Sequence, residues 1–461
     1  MAARSATVRS AFALAWPASL AAIVTPVLGL IDAAVLARAA GPTDMAGVAL
    51  AAAVFSLLYW SFGFLRMSVA GLTAQADGRN DEGGVRVAVV QGLLIAAAVG
   101  FSLLLLKSPI AALSEVAMTH GTEASDGAAG AMRTYLAIRL FAAPCVMVTN
   151  ALVGSLTGQG RMRAVMIVML SVTALNALLD VVFVMGMGMG VAGIALGTAI
   201  AETVGALLAG LAVLRALERR GGVRLGWNRA RLTEGWRAVL SLNLDIFLRT
   251  LVLSLVFAWF VRAGGQFGDV TLAANEVLLN LVLVPGLFLD GPAIAAETLT
   301  GRALGAKNER PARFAAAVRA TTTLSALFAG ALFLVMLVLG GAALALIVPP
   351  GSDAAAILGE ARRYLPYAIA SPLVLAAAFQ LDGLYIGATR GRALRNAMLV
   401  SGVVFTALIL LLPDLIGNHG VWAAFGLFML SRAATLLAAW PGFAALTRDV
   451  PPFTRERPQT I

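Results

Sequence analysis

The chain has 461 residues, of which 60% are hydrophobic and 13% charged, and its mean hydropathy is +0.89. Soluble globular proteins have roughly 45–50% apolar and about 25% charged residues, so the composition excludes an ordinary soluble domain and indicates a protein surrounded by lipid. The single cysteine, Cys145, excludes an intramolecular disulfide and a thiolate cluster. His120 and His419, both in predicted loops, offer little to a zinc or haem site, and no cofactor is expected.

Twelve stretches are long and apolar enough to predict membrane helices. The first follows Arg4 and Arg9, and it is too long for a signal peptide, whose apolar region has about 7–15 residues. The predicted spans, numbered 1 to 12, cover residues 11–36, 45–73, 85–106, 130–157, 163–187, 191–214, 237–262, 269–301, 312–340, 361–388, 393–413 and 418–446.

Lysine and arginine concentrate in alternate connections between these spans, above all in the linker at 215–236, and recur in the tail at 447–461. The positive-inside rule then predicts a multi-pass protein of the cell (inner) membrane with both termini cytoplasmic. This bias accounts for the net charge of +10, so no nucleic-acid partner is expected, whereas contact with anionic membrane lipid is.

Weak sequence matches recur at a nearly constant spacing along the chain. "AGLTAQADG" at 70–78 aligns with "ETLTGRALG" at 297–305, and "GVAGIA" from Gly190 aligns with "GVWAAF" from Gly420. The spacing predicts an all-α polytopic fold with twelve transmembrane helices in two pseudo-symmetric six-helix lobes. Residues 1–214 would form the N-lobe, 215–236 the basic cytoplasmic linker, 237–446 the C-lobe and 447–461 a cytoplasmic tail. The alternative is that shared Gly- and Ala-rich composition produces the matches.

Polar residues inside the predicted spans are functional candidates, because burying them in lipid is costly. Asn176 and Asp180 are four residues apart and share one face of span 5, as Thr198 and Glu202 do on span 6. Convergence of these faces with Asp32 of span 1 would give two carboxylates, an amide oxygen and a hydroxyl. Such a set suits Na+ or a proton shared by two carboxylates.

The alternative for the two aspartates is structural pairing with Arg66 on span 2 or Arg139 on span 4. Tyr135 lies one turn before Arg139 and is a further candidate. On span 6, Gly193 and Gly197 form a small-xxx-small step that predicts close approach to a neighbouring helix.

In the second half, Asp245 and Arg249 are four residues apart with the acid first, which predicts that they pair with each other. A second ion or substrate site would draw on four residues of spans 8 and 10, namely Asn275, Asp290, Glu297 and Asp382. Charge compensation with Arg249 is the alternative for the carboxylates among them.

Several of these segments together resemble the DinF-like branch of the MATE (multidrug and toxic compound extrusion) transporters. They are "PVLGLIDAAVLARAAG", "GFLRMSVAGLTAQADG", "YLAIRLFAAP", "NALLDVVFVMGMGMGVAGIALGTAIAE", "NLDIFLRTL" and "DGLYIGATRGRALRNAM". The resemblance implies two V-shaped six-helix lobes and secondary antiport, in which an inward H+ or Na+ flow drives export of bulky amphipathic or cationic compounds. It also implies a cation site at Asp32, Asn176, Asp180 and Thr198 with Tyr135 nearby, and a bend of span 1 at Pro26.

The predicted function is therefore a cation-coupled exporter that acts as a monomer by rocker-switch alternating access. A flippase for lipids or lipid-linked precursors of the same superfamily is the alternative, although such proteins often have more spans and a more cationic cavity. A membrane-embedded enzyme is not expected, because no histidine lies in the interior of a predicted span and the chain has one cysteine.

Overall fold

The computed structural model describes residues 6–39, 41–119, 126–223, 232–233, 235–348, 351 and 353–446, and the regular elements within these ranges are all helical. Twelve of the helices there are long and apolar enough to cross a membrane, which confirms the twelve predicted spans. Spans 1 to 12 are Val8–Leu36, Pro42–Gly78, Glu82–Leu105, Asp126–Gly158, Met162–Gly186, Gly190–Glu218, Trp236–Gly265, Asp269–Gly305, Arg310–Ile347, Ala354–Gly387, Gly391–Ile416 and Asn418–Ala438.

Two features near the ends of spans differ from the prediction. A 13-residue helix, Lys107–Thr119, follows span 3 where a loop was expected, and it is too short to cross the hydrocarbon core. Span 12 ends at Ala438, and a separate short helix, Trp440–Ala445, follows it. Pro441 at this point has no backbone N–H to continue the helical hydrogen bonding.

The two histidines have different outcomes. His419 was predicted in a loop, but it is the second residue of span 12, and its Nδ1 lies 3.3 Å from the hydroxyl of Tyr367. His120 lies outside the described residues, as do residues 224–231 and 234 of the predicted linker and the whole tail at 447–461.

Three spans of the first half contain an irregular turn. Span 2 is interrupted between Ser61 and Phe64, and span 4 passes through a 3₁₀ turn at Leu140–Ala142. Span 5 is α-helical over Met162–Asp180 and then widens into a π turn at Val181–Gly186. Turns of this kind inside helices are frequent at functional sites, and this one begins at the residue after Asp180.

The chain divides into two compact units. Residues 23–73 and 81–234 form one, called here the N-unit, and residues 1–22, 74–80 and 235–461 form the other, the C-unit. Within the C-unit, Ser19 Oγ donates to the carbonyl oxygen of Phe288 at 2.8 Å, and Gln75 Nε2 donates to that of Gly387 at 3.1 Å. The first part of span 1 and the end of span 2 thus pack with helices of the second half.

In the C-unit, the backbones of spans 8 and 10 are in direct contact. A Cβ added at Gly383 would lie 2.2 Å from the carbonyl oxygen of Ala293, and one at Gly387 would lie 2.2 Å from that of Glu297. These glycines are four residues apart, so they form a small-xxx-small stripe on one face of span 10. The stripe fixes the distance between the two helices.

Replacing Gly387 by alanine should destabilise the C-unit by about 1–3 kcal/mol, because the added methyl group overlaps backbone that cannot move aside. The measurement is the midpoint of thermal unfolding of the purified protein in detergent. Gly330→Ala is the matched control, since a Cβ at Gly330 meets no atom within 4 Å. Equal midpoints for the two variants would show that the stripe does not set the packing.

Candidate cation-coupling site

Four predicted site residues come together in the N-unit. Asp32 lies on span 1, Asn176 and Asp180 lie on span 5, and Thr198 lies on span 6. Asp32 is 8% exposed and the other three are at most 1% exposed. The cluster is therefore buried.

The Asn176 amide joins the members of this cluster. One end of the amide lies 2.9 Å from Asp32 Oδ1 and 3.2 Å from Asp180 Oδ2. The other end lies 3.1 Å from Thr198 Oγ1 and 3.3 Å from Thr198 N. With its nitrogen toward the carboxylates, which only accept when ionised, Asn176 donates to both aspartates and ties spans 1, 5 and 6 together.

The carboxyl groups of Asp32 and Asp180 are within hydrogen-bonding reach of each other. Since an ionised carboxylate has no proton to donate, a hydrogen bond between them requires a proton on one. A monovalent cation could take the place of that proton, because carboxylate, amide and hydroxyl oxygens are hard ligands. The arrangement can thus hold one positive charge between two helices.

Glycine allows span 6 to reach this site. A Cβ at Gly197 would lie 2.7 Å from Asp180 Oδ1, and one at Gly193 would lie 3.1 Å from the Cβ of Phe183. The close approach predicted from these two glycines is confirmed, and it brings the span 6 backbone against the Asp180 carboxyl group.

Tyr135 and Glu202, both predicted candidates, belong to a neighbouring network centred on Arg139. The Arg139 guanidinium forms an ion pair with Glu202 at 2.8 Å and donates to the hydroxyl of Tyr135 at 3.0 Å. It also lies 4.5 Å from the ring centroid of Phe55, a cation–π distance. The ion pair of Arg139 is therefore with Glu202 and not with either aspartate of the cluster.

The acidic residues of the second half pair differently from the prediction. Asp245 does not pair with Arg249, but with Arg395 of span 11 at 2.6 Å. Arg249 pairs instead with Asp382, and so does Arg432 of span 12. Charge compensation by Arg249, the predicted alternative for Asp382, is thus present. Arg432 was missed, although an arginine in the middle of the run "MLSRAATLL" is itself a signal.

The candidates on span 8 do not share one site with Asn275. That residue forms hydrogen bonds of 2.8–2.9 Å with Asn418 and Trp422, and in a helix it lies about 33 Å from Glu297. Glu297 is 2% exposed, and Asp290 is half-buried. Pro26 falls within the helix Val8–Ala39, but its side chain is outside the described part of the structure.

Twelve apolar helices with a buried polar cluster define a polytopic membrane protein, and comparisons with known proteins give its class. The family profile described as MatE matches residues 17–182 and 246–411. DNA damage-inducible protein F of Escherichia coli (strain K12) is 35% identical over 93% of this chain and 90% of its own. The chain belongs to the MATE family of membrane transporters, which are not enzymes.

More distant similarities agree with this assignment. A probable multidrug resistance protein NorM of Neisseria meningitidis is 26% identical over 68% of each chain. The crystal structure of a MATE protein in the bent conformation superposes with a TM-score of 0.83, at 18% identity, over 95% of this chain and 96% of the other. That structure shows that the fold is shared.

Breaking the Arg139–Glu202 pair should destabilise the N-unit. Glu202→Gln leaves a largely buried guanidinium, 13% exposed, without its carboxylate, and removing one partner of a fully buried pair costs about 3–5 kcal/mol. Arg139→Gln together with Glu202→Gln should recover most of this loss, because the double variant buries no unpaired charge. Thermal unfolding midpoints of Glu202→Gln, Arg139→Gln and the double variant in detergent measure the effect. A loss in the double variant equal to the sum of the two single losses would contradict the pairing.

Proposed function

We propose that this protein is a secondary active transporter that exchanges H+ or Na+ for bulky amphipathic or cationic compounds and exports them. The observation that carries the proposal is the pair of buried carboxyl groups, Asp32 and Asp180, bridged by the Asn176 amide inside membrane-spanning helices. Ionisable groups at membrane depth mark ion pathways and proton relays as a rule. The name of the probable multidrug resistance protein NorM supports the substrate class.

Coupling follows from the placement of the two carboxyl groups on different helices. With a proton or Na+ between them, spans 1 and 5 are held together; without it, two like charges repel in a poorly solvating environment. Loading the site then favours one conformation by as much as its cation affinity differs between conformations. Binding and release of the cation would in this way drive alternating access.

The proposal includes the arrangement of the chain. The six-helix halves, approximately 1–214 and 237–446, rock as two lobes, as parallel-repeat transporters do. The protein acts as a monomer in the inner membrane, with both termini, the basic linker at 215–236 and the tail at 447–461 in the cytoplasm. The excess of lysine and arginine in those segments supports this orientation.

The first test is dye counterflow in proteoliposomes, with wild type and Asp32→Asn compared under an imposed pH gradient and, separately, a Na+ gradient. Wild-type flux should rise under one of the two gradients, which identifies the coupling ion. Asp32→Asn should lose that response by about tenfold or more, since a tenfold change corresponds to only about 1.4 kcal/mol of differential affinity.

Glu360→Gln is the matched control for this experiment. Glu360 is also a carboxylate of a membrane-spanning helix, but it pairs with Arg363, whose side chain is 69% exposed. It should keep the wild-type response to the gradient. Flux that ignores both gradients, with Asp32→Asn equal to wild type, would make Asp32 structural and favour the lipid flippase instead.

Asn176→Ala tests the bridge without removing a charge. Both carboxyl groups remain, but the donor that joins them to Thr198 is lost, so the cation affinity of the site should fall by roughly 5- to 100-fold. The measurement is the cation concentration that gives half-maximal flux. An unchanged value would show that the amide does not contribute to the cation site.

A further inference from the structure

A second buried cluster of charged side chains lies in the C-unit, on residues that are distant in sequence from those of the cation site. Asp382 of span 10 accepts from the guanidinium groups of both Arg249 of span 7 and Arg432 of span 12. The three residues are 7%, 7% and 3% exposed. One carboxylate between two arginines leaves a formal charge of +1 on the cluster.

The two arginines have donors that Asp382 does not use. Arg249 Nε is buried and has no hydrogen-bond partner among the described residues. Arg432 Nη1 contacts the sulfur of Met429 at 3.1 Å, and a thioether is only a weak acceptor. A planar guanidinium offers five N–H donors in a fork that matches a carboxylate. The cluster therefore has both the charge and the donors to bind an additional anionic group.

An apolar cavity adjoins this cluster. It has a volume of about 70 Å³, and its walls include the aromatic side chains of Tyr367, Trp422 and Phe425. Met429 also lines it, and the same Met429 sulfur contacts Arg432. Met429 thus belongs both to the wall of the aromatic cavity and to the surroundings of Arg432.

We propose that the C-unit binds amphipathic monoanions, with the apolar or aromatic body in this cavity and a carboxylate head group on Arg249 and Arg432. An anion of one charge would bring the cluster to neutrality, which removes the cost of an uncompensated buried cation. The binding site is argued from the C-unit alone. That its ligand is a transported substrate rests on the proposed export function, whose substrate class it extends from cations to anions.

The test compares three probes that differ in charge and share one ring: 4-fluorobenzoate, 4-fluorobenzyl alcohol and 4-fluorobenzylammonium. Their binding to the purified full-length protein in uncharged detergent is followed by fluorine NMR. Wild type should bind 4-fluorobenzoate more tightly than the alcohol, and the alcohol more tightly than the ammonium compound.

Two variants should shift this preference in opposite directions. Arg432→Gln leaves Asp382 neutralised by Arg249, so 4-fluorobenzoate should bind about 10- to 100-fold more weakly, the effect of losing a hydrogen bond to a charged group. Asp382→Asn raises the formal charge to +2 and should tighten 4-fluorobenzoate binding. Neither variant should change the affinity of the alcohol by a similar factor. Arg395→Gln, which alters an ion pair of the same unit at Asp245, is the control and should bind as wild type does.

The outcomes are separable. Equal affinity of the three probes for wild type, or unchanged 4-fluorobenzoate binding in Arg432→Gln, would overturn the anion site. Tightest binding of the ammonium probe would show that Asp382, and not the arginines, selects the charge of the ligand, and it would also overturn the anion site. If Asp382→Asn does not fold, Arg432→Lys replaces it, since it keeps the charge but loses the fork and should weaken binding less than Arg432→Gln. No ion gradient is involved, so a negative result leaves coupling at Asp32 standing.

Discussion

The structure depends on the requirement that a charge inside a membrane-spanning helix must find its partner within the protein, because hydrocarbon supplies none. The Arg139–Glu202 pair meets this requirement, because the two opposite charges neutralise each other. The charges of the two buried clusters do not balance in this way. Asp32 and Asp180 are two acids that need a positive charge between them, whereas Asp382 is one acid between two bases. Each unit thus contains a cluster whose net charge a bound ion would neutralise, a cation in the N-unit and an anion in the C-unit.

Apolar run length and helical spacing were enough to predict the twelve spans and the shared face of Asn176 and Asp180, because both depend only on residues close in sequence. The pairing of Asp245 with Arg395 was not predictable in this way. Its i, i+4 neighbour Arg249 was available, but contacts between helices placed that arginine beside Asp382. The helix at Lys107–Thr119 was missed because it is too short to register as a span. Partner choice across helices is the information that a single sequence does not display.

The two halves of the chain share a helical repeat, but the carboxyl groups of their buried clusters lie at different positions of that repeat. The second family match begins at residue 246 against residue 17 for the first, an offset of 229, within the 227–230 range of the repeated segments. At that offset, Asp32 corresponds to Val261, Asp180 to Ile409 and Asp382 to Val153. The duplicated part is therefore the helical scaffold with its small-residue contacts. The carboxyl groups of the two buried clusters are each confined to one half, as the proposal that the halves serve ligands of different sign requires.

The bridging amide of Asn176 has a further consequence for how the two candidate ions differ. An amide is a hydrogen-bond donor at one end and a lone-pair donor at the other, and a half-turn about its terminal bond exchanges the ends. A shared proton leaves acceptor oxygens facing the amide, which requires its nitrogen; a sodium ion requires its oxygen. The two candidate ions therefore require opposite orientations of the Asn176 amide.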